Sequence, residues 1–216
     1  MPDKTILFMS PGSHHSRRVR LLIHELGLDV EERPVGTLPR GMGGENEKPE
    51  FLAINPFGKV PVLQDGDLIV AESNAIMYYL CEKHGPSTLW PAELPARAKI
   101  QSWQFAQAAH LSPVADGLLL ENVVKPMLGK PSDAAIVSTL TDEFHRLAAV
   151  LDATLSNQPY LLGQDITCAD LSIATALMYA PAAQIPVAEH APLSAWLARI
   201  HARASWKTTE PPPMRG

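Results

Sequence analysis

Residues 55–73, NPFGKVPVLQDGDLIVAES, read as a β-hairpin with an obstacle inside it. Apolar Val60, Val62 and Leu63 come first, then Asp65-Gly66, a pair suited to a type I′ turn, then Leu68, Ile69 and Val70. Pro61 stands within the first strand, where it removes a ladder donor and demotes the run to an edge. A Val-Pro bond can take the cis form at a cost of only ~0.5–1 kcal/mol. Val60 would then turn its N–H and C=O outward, where an extended peptide docks by strand-like pairing. An ordinary edge-strand proline is the plainer reading of the same residues.

Working outward, residues 5–9 (TILFM) form a short buried strand that SPGSHHS breaks. From Ser16 the pattern is helical, with Val19, Leu22, Ile23 and Leu26 on one face and Gly27 as the stop. Residues 28–35 make a second strand, and residues 36–50, polar with four glycines, a long and mobile surface loop. After the hairpin, SNAIMYYLCEKHG is a helix ending at Gly85. The order β-α-β, loop, β-β-α asks for a mixed sheet with helices on its faces. A linker with three prolines spans 85–95. Beyond it only helical spacing remains: Ile100, Trp103, Gln107, His110, Val114 and Leu118, with two polar interruptions; Ile136 to Leu155; and Leu193, Trp196, Leu197 and Ile200. The tail TTEPPPMRG reads as frayed. Thr167 and Asp170 form a capping box, with Ile166 and Leu171 as its staple, the start of a helix buried in a bundle.

The chain has 216 residues, 46% of them hydrophobic, and a net charge of -5, which disfavours nucleic acid as a partner. No run reaches the ~18 apolar residues of a membrane span, so a cytoplasmic protein is expected. The two cysteines, Cys81 and Cys168, read as buried free thiols rather than a disulfide or metal pair. No metal is expected.

Two further stretches carry chemistry. Ser73 is a natural N-cap whose helix offers free N–H groups to a carboxylate, and Glu72 beside it suits an ammonium; together they fit an amino-acid head. Ser13, just ahead of a helix start, could donate a hydrogen bond to a thiolate. A plain cap and a turn of small residues are the ordinary alternatives. His14 and His15 read as solvated loop histidines, and His110 as a packed histidine on an apolar stripe, outside the site.

In order along the chain, Ser13-His14-His15-Ser16-Arg17-Arg18-Val19, the NPxGxVPxL run from Asn55, Glu72-Ser73 with Ala75, Ile76, Tyr79 and Leu80, and LLGQDITCADLSIA resemble the soluble glutathione transferases over nearly the whole chain. The resemblance is to serine-type enzymes of the theta-, phi- and zeta-like classes, with beta-like bacterial features around His110. It implies a thioredoxin-like α/β N-terminal domain (1–84), the linker (85–95), an all-α helical-bundle domain (96–216) and a homodimer. It implies glutathione as co-substrate, with Val60 on the cysteinyl backbone, Lys59 beside it, Glu72 and Ser73 on the γ-glutamyl head, and Ser13 on the thiolate. Lys48 stands where a glycyl contact is needed. The electrophile is expected to be small and hydrophobic, held between the domains. Other glutathione-dependent reactions (isomerase, dehalogenase, ether lyase, disulfide reductase or peroxidase) and a non-enzymatic interaction protein remain alternatives.

Overall fold

The computed structural model describes residues 4–38 and 41–212. They fall into two compact units, one running to His84 and joined by the segment that begins at Ala204, the other formed by residues 85–203.

In the first unit, β1 (Ile6–Met9) leads to α1 (His14–Leu26), β2 (Glu31–Pro34), the short helix α2 (Pro49–Leu52), the hairpin β3 (Val62–Asp65) and β4 (Leu68–Ala71), and α3 (Ser73–His84). The sheet order is β2-β1-β3-β4, with β1 and β2 parallel and the other two pairs antiparallel, the mixed sheet that the element order requires. Leu7 faces Leu63 across the ladder and both are fully buried, together with Val19, Leu22, Ile76 and Met77 from α1 and α3. A second apolar cluster gathers Val35, Phe51 and Val62, with Phe8, Ile54 and Val60 against it.

Four local expectations change. The hairpin loop is Gly66-Asp67, because Asp65 pairs with Leu68 as a strand residue. Only Gly66 has positive φ (60°), which matches glycine at the first central position of a type II′ turn rather than a type I′ pair. Asp65 is held in the strand by its side chain, which accepts hydrogen bonds from Thr5, Tyr79 and Lys83. The stretch 36–50 is tied down: Glu45 accepts from the Gly36 N–H (2.7 Å), Glu47 from the N–H groups of Gly41 and Gly43, and buried Asn46 donates to the Gly58 carbonyl (2.9 Å). Pro39 and Arg40 of that stretch lie outside the described residues. Helix α1 begins at His14, so His14 and His15 are helical rather than loop residues.

The fourth change concerns the tail. The short helix α10 (Ala204–Thr208) belongs to the first unit instead of the helical domain; of the stretch 208–216 read as frayed, Thr208 ends that helix and Thr209 donates its N–H to the Ser205 carbonyl (3.1 Å). The Arg17 guanidinium lies 3.9 Å from the centre of the Trp206 ring and donates to the Trp206 carbonyl (2.8 Å). Thr209 is fully buried, and Ser205 donates to Glu25. Residues 213–216 lie outside the described residues.

The second unit is helical throughout, as expected. Residues 94–127 form one long helix made of α4 (Leu94–Ala106), α5 (Ser112–Leu119) and α6 (Lys125–Met127), joined by π turns at Gln107–Leu111 and Leu120–Val124. Each π turn precedes a proline, Pro113 and Pro126, whose missing N–H leaves a carbonyl one turn back without its α partner. The two polar interruptions of the stripe, Gln107 and His110, both sit in the first π turn. Helices α7 (Ala134–Leu155), α8 (Cys168–Ala176) and α9 (Ala191–His201) complete the bundle. All nine residues of α8 are buried, and Asp170 closes the capping box with Thr167. Its carboxylate also accepts from the Leu161 N–H and the Trp196 indole, both at 2.9 Å. Cys81 and Cys168 are buried free thiols. No helix among the described residues is long and apolar enough to cross a membrane.

Two outcomes follow from these carboxylates. Asp170→Ala orphans several buried donors and should lower the unfolding free energy by about 3 kcal/mol or more in urea titrations. Lys83 first, then Tyr79 and Thr5, hold the Asp65 carboxyl below the usual carboxylate range. A depressed folded value means that the stabilisation is complete above the ~3.9 of an unfolded aspartate and is lost as pH falls through the lower folded value. Asp65→Asn should therefore flatten the acid limb of the stability–pH curve.

Candidate functional site

The start of α1 is built by Ser13. It is the N-cap, in extended conformation (φ -87°, ψ 120°), and its Oγ accepts the Ser16 N–H at 3.2 Å. Capping uses only the acceptor side of a hydroxyl. The Ser13 proton is donated to no described residue, so a donor remains at the mouth of the helix. Ser16 in turn accepts the Ser10 N–H (3.2 Å), which fixes the entering loop.

The loop before β3 is shaped by Asn55, 3% exposed. Its Nδ2 donates to the Lys59 carbonyl (2.7 Å) and its Oδ1 accepts the Phe57 N–H (3.2 Å). The Val60–Pro61 bond is cis, and the β3 ladder begins only at Val62. The N–H and C=O of Val60 take no hydrogen bond among the described residues. On the other side stands Glu72 with φ 68°, a left-handed conformation uncommon outside glycine and worth about 1–3 kcal/mol of local strain. Its carbonyl accepts the Ile76 N–H (2.9 Å), so Glu72, not Ser73, occupies the capping position of α3, and Ser73 is the first helical residue.

Lys59, Val60, Glu72 and Ser73, four of the five residues singled out in the sequence, line one cleft of about 80 Å³ together with Pro61, His15 and Asn55. Ser13 is not in that lining, and neither is Lys48, which caps α2. His15 and Asn55 are the residues that sequence reasoning missed. Asn55 was visible as the first residue of an Asn-Pro turn. His15 would have been found by starting the helix after its serine cap, Ser13, instead of at Ser16. Its ring lies against that of His14, 3.9 Å between centroids and tilted by 37°. Burial first, then His14, Arg18 and Lys59 nearby, push the His15 imidazole down to about 2, so it is neutral at physiological pH.

The arrangement offers an unpaired main-chain donor and acceptor, a free carboxylate beside a helix start, a lysine and a neutral imidazole. Such a set suits a short peptide with a zwitterionic end. The helical unit holds a separate apolar cavity of about 280 Å³, walled by Trp103, Leu111, Leu147 and Ile173, with His110 at its lining. His110 itself is exposed rather than packed on its stripe.

Residues 7–88 match the model of the glutathione S-transferase N-terminal domain, and residues 118–204 that of the C-terminal domain. The chain is 36% identical to glutathione S-transferase 4 of Zea mays over 188 residues, covering 86% of this chain and 82% of the relative. It is 33% identical to glutathione S-transferase F10 of Arabidopsis thaliana over 198 residues, 89% and 90% of the two chains. Among solved structures, glutathione S-transferase I from maize, in complex with an atrazine glutathione conjugate, superposes with a TM-score of 0.83 at 27% identity over 96% of this chain and 97% of that one. The first unit has the thioredoxin-like fold of such enzymes and the second their helical domain, and the chain belongs to the glutathione S-transferase family.

Proposed function

We propose that the chain is a phi-class glutathione transferase in which Ser13 holds the glutathione thiol as thiolate for attack on a small hydrophobic electrophile. The class reading is supported by relatives of the F type, such as the Arabidopsis enzyme. The reaction is supported by the conjugate bound to the maize enzyme. In this reading Glu72 takes the γ-glutamyl ammonium, and Ser73 with the start of α3 takes its carboxylate. The N–H and C=O of Val60 pair with the cysteinyl unit, and Lys59 lies beside the peptide. The domain containing this cleft is the glutathione-binding one. The enzyme works in the cytoplasm, in detoxification, as a homodimer. Phe57, 77% exposed, is apolar surface that a second copy would cover.

The observation that carries the mechanism is the divided use of the Ser13 hydroxyl, whose oxygen accepts from Ser16 while its proton stays available. A free thiol has a pKa near ~8.5, and lowering it by about two units takes roughly 2.7 kcal/mol. A charge-assisted hydrogen bond supplies about 1.5–3 kcal/mol and a helix N-terminus about 0.3–1 more. The thiol gives its proton to solvent. The thiolate then forms a sulfur–carbon bond as the carbon–halogen bond of an aryl or alkyl halide breaks, and halide departs.

Three substitutions separate capping from catalysis. Ser13→Ala loses both, so unfolding free energy should fall by about 1 kcal/mol and turnover with an aryl chloride by about 10²-fold. Ser13→Asp keeps a capping oxygen but offers no proton at neutral pH, and should be stable yet inactive. Ser13→Thr keeps both. In the first two the bound thiol, followed by thiolate absorbance, should titrate near ~8.5. An unchanged thiol titration and turnover in Ser13→Ala would remove Ser13 from the mechanism.

A further inference from the structure

We infer that His15 is a further ligand-binding residue, whose imidazole hydrogen-bonds the γ-glutamyl head of glutathione from the α1 side of the cleft. The inference rests on the reading of that cleft as the glutathione site. Its basis is position. Residues on one side come from the loop that ends at Pro61, and on another from the corner formed by Glu72 and Ser73; His15 is the one lining residue supplied by α1. Ser13, two residues earlier on the same helical turn, does not line this space. The sulfur therefore lies toward Ser13, while the cleft takes the cysteinyl main chain at Val60 and the γ-glutamyl head at Glu72 and Ser73, the corner that His15 completes from α1.

The charge pattern fits the same assignment. An amino-acid head is a zwitterion, and the cleft offers it one carboxylate, Glu72, and one ammonium, Lys59. A protonated imidazole would add a second cation and tilt the site toward dianions. Burial and the neighbouring His14, Arg18 and Lys59 keep the ring neutral. In that form it has one N–H donor and one acceptor nitrogen and serves either end of a zwitterion without a counter-ion. The His14 ring lies against it, 3.9 Å between centroids and tilted by 37°, and limits the rotamer freedom lost on binding.

The test pairs two ligands with two variants in calorimetric titrations at pH 7: glutathione, and the dipeptide Cys-Gly, which lacks the γ-glutamyl head and is measured by competition. His15→Ala should weaken glutathione about ten-fold, the effect of one hydrogen bond, and leave Cys-Gly unchanged. His15→Gln, neutral and able to donate and accept, should restore glutathione binding to within about three-fold of the wild type. Equal losses for both ligands, or no loss for either, would overturn the assignment even if glutathione binds. No glutathione binding by the wild type at millimolar concentration would instead overturn the reading of the cleft. If His15→Ala fails to fold, the His15→Gln and His15→Leu pair carries the same comparison: equal glutathione affinity in those two variants refutes the contact, and a ten-fold gap confined to glutathione supports it.

Discussion

A residue that cannot donate decides where this sheet stops. Pro61 has no N–H, and the β3 ladder therefore opens at Val62 and leaves the main chain of Val60 outside it. Everything around that point compensates. Asn55, buried and bonded to both Lys59 and Phe57, replaces the missing ladder with side-chain bonds and keeps the preceding loop in shape. Asn46 adds a bond to Gly58 from the far side of the loop. The result is a stretch of backbone that is rigid yet has its hydrogen-bonding groups free, which is the requirement for reading a peptide rather than pairing with another strand.

The second half of the cleft is made by a different device. Glu72 takes a left-handed conformation that costs energy locally, and the hairpin and α3 on either side hold it there. Because Glu72 fills the capping position, Ser73 is drawn into the helix and is almost completely buried, at 5% exposure. The Glu-Ser pair thus works as a carboxylate outside and a hydroxyl inside, rather than as two equivalent surface groups. At the start of α1 the division is within one atom group: the Ser13 oxygen supports the helix while its proton remains uncommitted.

The parts of this molecule legible in the sequence are those encoded by short-range pattern. The hairpin could be read because Pro61 and Gly66 punctuate it, and α8 because Thr167 and Asp170 announce its start three residues apart. The parts that escaped depend on contacts between distant residues. The order in residues 41–47 comes from Glu47 accepting glycine N–H groups, which looks like a polar loop in one dimension. The start of α1 was missed because its residues from His14 to Arg18 are all polar, and periodicity sees only apolar residues. The neutral state of His15 is set by burial and by Lys59, 44 positions along the chain. The resemblance to a family suggested the roles proposed for Ser13, Lys59, Val60, Glu72 and Ser73 before any geometry did; residue pattern by itself left Ser13, Val60, Glu72 and Ser73 each with an ordinary alternative.

The docking of α10 on α1 has a consequence for biosynthesis. Arg17, on the helix that carries Ser13, rests on Trp206 and donates to its carbonyl, so the first unit contains a piece that follows the second unit in sequence. A growing polypeptide emerges N-terminus first and domains generally fold as units. Here the leading unit stays incomplete, with Arg17 on its first helix unmatched by Trp206, until the whole of the second unit has been made. The nascent chain has to wait for a turn made after its second unit.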